Sequence, residues 1–235
     1  LSDATMFPPH GRLSCALCFE GGKEFQQIGK WQMRRDPGSW GSRTPSYLVL
    51  GFSKGATQSD IFAKGSFDDV AFGGRETRLN LTRILGRVGL LPSGEMVGQR
   101  IKATEESFHF SSLIRCSLAR LDDEKSKETG RPVYATSGKL MPKSFSEISR
   151  IISKCTEQFL GSLPSSLKAI VVLGVTDAYV RGVRETMRRL HPRGFRVINP
   201  VAYENDQLVW VHLTHPSRGN GTLNAWLEKL PQENT

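Results

Sequence analysis

Two hydrophobic periods alternate along this chain. Short apolar runs bounded by glycine or polar loops predict strands at SYLVLGF (46–52), FHFSSLI (108–114), LKAIVVLG (167–174), FRVINP (195–200) and LVWVHLT (208–214). The first and third suit strands covered on both faces. Between these runs the period lengthens to that of a helix. From Glu76 to Leu90 the apolar positions are Leu79, Leu81, Ile84, Leu85 and Val88. In 145–160, Ile148, Ile151, Ile152, Cys155 and Phe159 share one side. In 176–190, Tyr179, Val180, Val183, Met187 and Leu190 point inward, and Arg181, Arg184, Arg188 and Arg189 mostly outward. GTLNAWLEKL (221–230) reads as a last helix.

The remaining stretches are polar. Residues 1–45 hold Pro8, Pro9, Gly11, Gly21, Gly22, Pro37, Gly38 and Gly41, which predicts a loop-rich wrapping segment with little regular structure. FSKGATQSD (52–60) reads as a loop. Residues 122–144, charged and containing Gly and Pro, read as a surface insertion rather than a linker. No repeat or low-complexity tract interrupts the pattern, so 1–235 is expected to form one domain.

Strands alternating with helices predict an α/β domain, with a mainly parallel sheet and helices on both faces. Such sheets bind ligands at the carboxyl ends of their strands. That rule selects four places: the loop after Leu50, and the ends of FSSLIRC, VVLG and VHLTHPS.

Composition adds a partner class. Hydrophobic residues make up 38% and charged residues 23% of the 235, ordinary for a globular protein. The net charge of +9 and a pI near 9.6 point to a polyanion, DNA or RNA being the commonest. A basic surface without a dedicated partner fits the same charge. No apolar run approaches membrane-spanning length. The start, LSDATMFPPHGRL, has no basic segment followed by an apolar one and does not read as a secretory signal. A cytoplasmic protein is expected, associated with the nucleoid in a bacterium.

The chain has four cysteines. Cys15 and Cys18 form a CxxC, and Cys116 and Cys155 stand alone downstream. Without a secretory signal, a metal site or a redox pair is a more natural reading than a disulfide framework. A thioredoxin-like pair needs a strand before the CxxC and a helix after it, and the flanks predict neither. Four thiolates at one site suit an iron–sulfur cluster or tetrahedral zinc, and spacing alone does not separate them.

The order of the short motifs resembles the uracil-DNA glycosylase superfamily, specifically its iron–sulfur branches, families four and five. The resemblance runs from about Cys15 to Leu227. CALC (15–18) resembles the N-terminal CxxC, and VLGFSKGA (49–56) the first motif. AFGGR (71–75) resembles the segment whose Phe stacks on the base. FSSLIRCSL (110–118) and KCTEQFL (154–160) resemble the strand and the helix that carry the third and fourth cysteines. THPSRGN (214–220) resembles the second catalytic motif, in the HPSxxN form typical of family five.

The resemblance implies a monomeric three-layer α/β/α sandwich around a central, mainly parallel four-stranded sheet. Cys15, Cys18, Cys116 and Cys155 would hold one [4Fe–4S] cluster, with zinc as the alternative. The cluster would be structural, pinning the N-terminal segment to the body. The partner would be DNA, single- or double-stranded, with a damaged base taken out of the stack. His215 would donate to the departing base anion, and Phe72 would stack on the flipped base. Gly51, Phe52 and Gly55 would line the base or phosphate site, and Ser217, Arg218 and Asn220 would sit on the loop approaching the DNA. Arg115, Lys139, Lys143, Arg181, Arg184 and Arg218 would add to a basic DNA-facing surface.

Two departures touch the chemistry. Ser112 stands where the family places a uracil-reading Asn, and a hydroxyl cannot repeat the two-point amide pattern. The first motif reads GFSKGATQ (51–58), with Lys54 in place of the usual Pro and no acid before Asp60. Ser53 or Gln58 would then orient the water without acting as a strong base. Lys54 keeps a Schiff-base alternative open. The leading expectation is a monofunctional DNA glycosylase acting in base excision repair on uracil or another deaminated base. The competing expectation is an altered module that binds DNA or a modified base without cleaving. A divergent member acting on a free nucleotide or on RNA is a third.

Overall fold

The computed structural model describes residues 5–136 and 138–229. Residues 1–4 of the N-terminal segment, Ser137 of the insertion, Leu230 at the end of the helix expected over 221–230, and residues 231–235 lie outside the described residues. In chain order, β1 (Gly11–Arg12), β2 (Phe25–Ile28), β3 (Trp31–Arg34) and β4 (Gly38–Gly41) precede β5 (Tyr47–Gly51). Helices α1 (Ala56–Lys64), α2 (Arg75–Arg87) and α3 (Val97–Arg100) lead to β6 (Phe108–Ser112) and β7 (Ser117–Leu121). Then come α4 (Asp123–Thr129), β8 (Tyr134–Ala135), α5 (Ser144–Glu147), α6 (Ser149–Leu160) and β9 (Ala169–Leu173). The chain continues through α7 (Asp177–Leu190), β10 (Arg196–Asn199), β11 (Ala202–Glu204), β12 (Val209–Leu213) and α8 (Leu223–Lys229).

The main sheet has the order β1-β4-β6-β5-β9-β12-β11-β10. Its inner strands β6, β5, β9 and β12 are parallel. Antiparallel pairs extend both edges, β4 with β1 on one side and β11 with β10 on the other. Among the described residues the fold is therefore α/β with a mixed sheet of eight strands, not four. Of the edge strands, β10 falls in the run expected at 195–200; β1, β4 and β11 are short and glycine-bearing or half polar, so they carry too little alternation to register as a period.

Successive residues of the inner strands feed opposite layers. Leu48, Leu50, Ile170 and Val172 pack with Ile151 and Ile152 of α6 and Val183 and Met187 of α7. Val49, Phe110, Val171 and Leu173 pack with Leu81, Ile84 and Leu85 of α2 and Leu223 of α8. Helices thus cover both faces, as the doubly apolar runs require.

Three polar regions are more ordered than expected. Residues 25–34 form a hairpin that continues into a second, antiparallel sheet, β2-β3-β7-β8. Gly29, at φ 55, and Lys30 make its two-residue turn, and Trp31 and Met33 are buried beneath it. The loop expected over 52–60 becomes α1 at Ala56, where the Gln58 side chain accepts from the Gly55 N–H at 3.3 Å. The 122–144 insertion holds α4, capped by the Asp122 carboxylate on the Lys125 N–H, and β8, which pairs with β7. The helix expected over 145–160 is divided at Ile148, whose φ of −133° and ψ of 36° are not helical.

Candidate functional site

The parallel strands β5, β6, β9 and β12 all end on one side of the sheet. Gly51, Ser112, Gly174 and Thr214 at those ends line a single cavity of about 680 Å³. The four places selected by the strand-end rule are therefore one site. The insertion contributes Thr136, Gly138, Met141 and Pro142 to its wall, which the sequence did not indicate.

His215 follows β12 and lines the cavity. The Ser217 N–H donates to its Nδ1 at 3.2 Å. A neutral ring whose Nδ1 accepts carries its proton on Nε2. No protein group bonds Nε2 among the described residues. Desolvation lowers the His215 pKa to about 4. The ring is nonetheless accessible, because it forms one wall of an open concavity. Crowding by the wall lowers the pKa and the opening admits a ligand, so the group is a neutral donor at pH 7.

The loop that presents His215 is tied from three directions. Asn220 Nδ2 donates to Thr214 Oγ1 at 2.8 Å and to the His215 carbonyl at 2.6 Å. Asn220 Oδ1 accepts from Thr222 N and Oγ1. Asn80 of α2 donates to the Pro216 carbonyl at 3.0 Å. The Asn220 amide is thus spent on the loop's own shape, although the residue borders the cavity. Ser217 lines the cavity as well; Arg218 is exposed and does not.

Phe72 and Gly51 are fitted to each other. A Cβ on Gly51 would stand 3.3 Å from the Phe72 ring. Phe72 itself has φ 49, the one positive-φ residue among the described non-glycines. A left-handed backbone at a bulky residue costs about 1 kcal/mol or more, and such strain gathers at ligand sites. Phe72 also meets Phe110 edge-on at 6.2 Å. Phe52 forms a second aromatic wall, against Phe145 at 6.4 Å and Tyr179 at 6.1 Å.

Hydroxyls supply most of the remaining polarity. Ser53 and Ser112 line the cavity and no protein group bonds their hydroxyls among the described residues. Ser111 Oγ and Tyr179 Oη are buried without a protein partner. The backbone of Gly55 borders the cavity, but the Gln58 amide is committed at both ends, accepting from Gly55 N and donating to the Val70 carbonyl at 2.9 Å. It therefore holds the loop instead of presenting a free amide. No carboxylate and no arginine lines the cavity among the described residues.

Lys54, the one lysine bordering it among the described residues, turns its amine away. Lys54 Nζ donates to the Arg115 carbonyl, stands 3.4 Å from Asp36 Oδ1 and lies 5.6 Å from the Phe62 ring centre. Asp36 also accepts from Ser117 N at 2.6 Å, from Ser117 Oγ and from Ser59 Oγ at 3.0 Å. Burial lowers the Lys54 pKa, opposed chiefly by Asp36. A Schiff-base role at the cavity does not fit this placement.

Cys15, Cys18, Cys116 and Cys155 line one small pocket, together with Arg115, Phe159 and Met33. Burial pushes the Cys116 thiol up to about 12 and the Cys155 thiol up to about 11, and raises Cys18. No group of three or more His, Cys, Asp or Glu side chains that could hold a metal ion is found among the described residues. Arg115, expected on the basic surface, is instead buried against this pocket. Lys139, Lys143, Arg181 and Arg218 are exposed, and Arg184 is half-buried.

No protein-family model matches the chain, and no curated protein matches it. Among solved structures it is similar to wild-type SMUG2 from Pedobacter heparinus, at 12% identity and a TM-score of 0.39, over 80% of this chain and 74% of that one. A likeness at this level assigns neither family nor activity. No helix among the described residues is long and apolar enough to cross a membrane.

Proposed function

We propose that the chain is a monofunctional DNA glycosylase that removes uracil or another deaminated base. One observation carries the reading: His215 is a neutral imidazole whose Nδ1 is occupied by the Ser217 N–H, leaving Nε2–H free on the wall of the strand-end cavity. Cleaving an N-glycosidic bond leaves the bonding electrons on the base and positive charge on the sugar. A donor aimed at the base carbonyl stabilises that developing anion, and the neutral imidazole does so through its Nε2–H without giving up the proton. Phe72 offers a face for stacking, and the Ser112 hydroxyl either donates to or accepts from the base edge. Water adds to the sugar cation, and its proton leaves to solvent. No amine among the described residues faces the cavity, so the product is an abasic site.

The four cysteines are proposed to hold a [4Fe–4S] cluster, with zinc as the alternative. Two features support a cluster site: four thiols share one pocket, and the buried Arg115 guanidinium beside it has N–H groups without acceptors. When bound, the cluster would cross-link the segment before β2, the β6–β7 connection and α6.

A second reading is favoured by a separate feature of the cleft. Without a carboxylate, and with Gln58 committed, nothing there acts as a strong base for water. A module that binds DNA or a modified base without cleaving fits that feature. Base release separates the two. Cluster-loaded protein is incubated with oligonucleotides carrying uracil, hypoxanthine, xanthine or only normal bases, single- and double-stranded. Release of one damaged base supports the glycosylase and identifies its substrate. Binding without release from any of them supports the module.

A further inference from the structure

Arg115 lies between β6 and β7 and is 2% exposed. Its Nη1 donates to the Gly38 carbonyl at 3.3 Å, and its guanidinium sits 4.9 Å from the Phe159 ring centre. Nε and Nη2 are buried and meet no acceptor. No carboxylate pairs with it among the described residues. Its backbone N–H donates to Cys155 Sγ at 3.3 Å, and the side chain borders the four-cysteine pocket.

A permanently charged group buried without a counter-ion is among the costliest arrangements in a protein interior. An apolar side chain of similar length would fill the same space without that cost. The charge is favourable only if an anion lies against it. Asp36, the carboxylate bonded to nearby Ser117, is already used by Lys54, Ser59 and Ser117. What remains beside Arg115 is the cysteine pocket, and four thiolates around an iron–sulfur core carry net negative charge.

We infer that Arg115 is the counter-charge of the group held by Cys15, Cys18, Cys116 and Cys155, its Nε–H and Nη2–H donating to that group's sulfur atoms. The inference rests on the cluster reading proposed above. It makes Arg115 a tuning residue. A fixed cation stabilises the more negative, reduced cluster, and so raises its reduction potential.

The test uses the wild type, Arg115→Met and Arg115→Lys, each loaded with mixed ferrous and ferric iron and sulfide and each stripped by chelation. In the loaded state Arg115→Met should lower the thermal midpoint. It should also shift the potential negative by a tenfold or greater change in the reduced-to-oxidised ratio, about 59 mV for one electron. In the stripped state the same change should raise the midpoint, because it removes an unpaired buried charge. Arg115→Lys keeps the charge and should recover most of the potential. A midpoint lowered equally in both states would make Arg115 a packing residue and overturn the inference, as would an unchanged potential. If the stripped proteins do not fold, the potential of the loaded ones decides. A wild type that takes up no iron overturns the cluster reading and the inference with it. A wild type that loads, with no effect of Arg115, overturns the inference alone.

Discussion

Replacing Lys54 by methionine removes the ammonium that pairs with Asp36 and leaves a buried carboxylate behind. Both side chains are almost fully buried, Lys54 at 1% and Asp36 at 3% exposure. Breaking a buried pair by deleting one partner costs about 3–5 kcal/mol, because the survivor keeps its charge. Asp36 retains three donors, Ser117 N, Ser117 Oγ and Ser59 Oγ, so the lower end of that range applies. Lys54→Met is therefore expected to cost roughly 3 kcal/mol. Asp36→Asn strands the ammonium instead and should cost a similar amount. The double variant leaves neither charge exposed to the interior and should cost less than the sum by about 2 kcal/mol. Urea titration at pH 7 measures all three, with the slope checked for a change in the unfolded state. A single variant within about 0.5 kcal/mol of wild type, or strict additivity, would refute the pairing as a buried strut. Lys54→Met that folds should still form no borohydride-trapped adduct and should release base like the wild type, since the amine does not face the cavity.

Phe72→Ala removes the stacking face, worth about 1–3 kcal/mol per base, and should weaken binding to an oligonucleotide with an extrahelical base by about 5- to 150-fold; Phe72→Leu should recover part of it, and equal affinities by fluorescence anisotropy would remove the stacking role. Acid should destabilise the fold well above the carboxylate range. Desolvation lowers His109 to about 3 and His212 to about 4, from 6.5. The unfolded chain therefore takes up these protons first. Their contribution is intact above pH 6.5 and is lost as pH falls toward 4 and 3. For the fully buried His109 alone this approaches roughly 5 kcal/mol. A urea midpoint that stays level from pH 7 to pH 5 would contradict it.

The strand ends were legible because a doubly buried strand is apolar throughout and stops at a polar or glycine residue. That pattern alone brought Gly51, Ser112 and His215 to one place. The hairpin at 25–34 carried a readable signal in its Gly29-Lys30 turn, masked by the prolines and glycines on either side. Lys54 and Arg115 were misplaced from sequence. Lys54 reads as an amine of the first motif and Arg115 as a surface cation, and only the tertiary structure shows Lys54 buried against Asp36 and Arg115 buried beside the cysteine pocket. The same limit applies to Gln58 and Asn220, whose side chains look free in sequence but are bonded to their own loops. The insertion was legible as polar, and its place over the cavity followed from β8 pairing with β7, a contact no local pattern encodes.

The central claim is that His215 acts as a neutral hydrogen-bond donor to the departing base. Single-turnover base release by wild type and His215→Ala, on whichever base the wild type releases, tests it most directly, with DNA affinity measured on the same proteins. The account predicts a rate lower by about 10²–10³, the usual loss for one donor to a developing anion, with affinity nearly unchanged. A variant that releases base within about threefold of the wild-type rate would contradict it, and the donor would have to be sought elsewhere in the cavity.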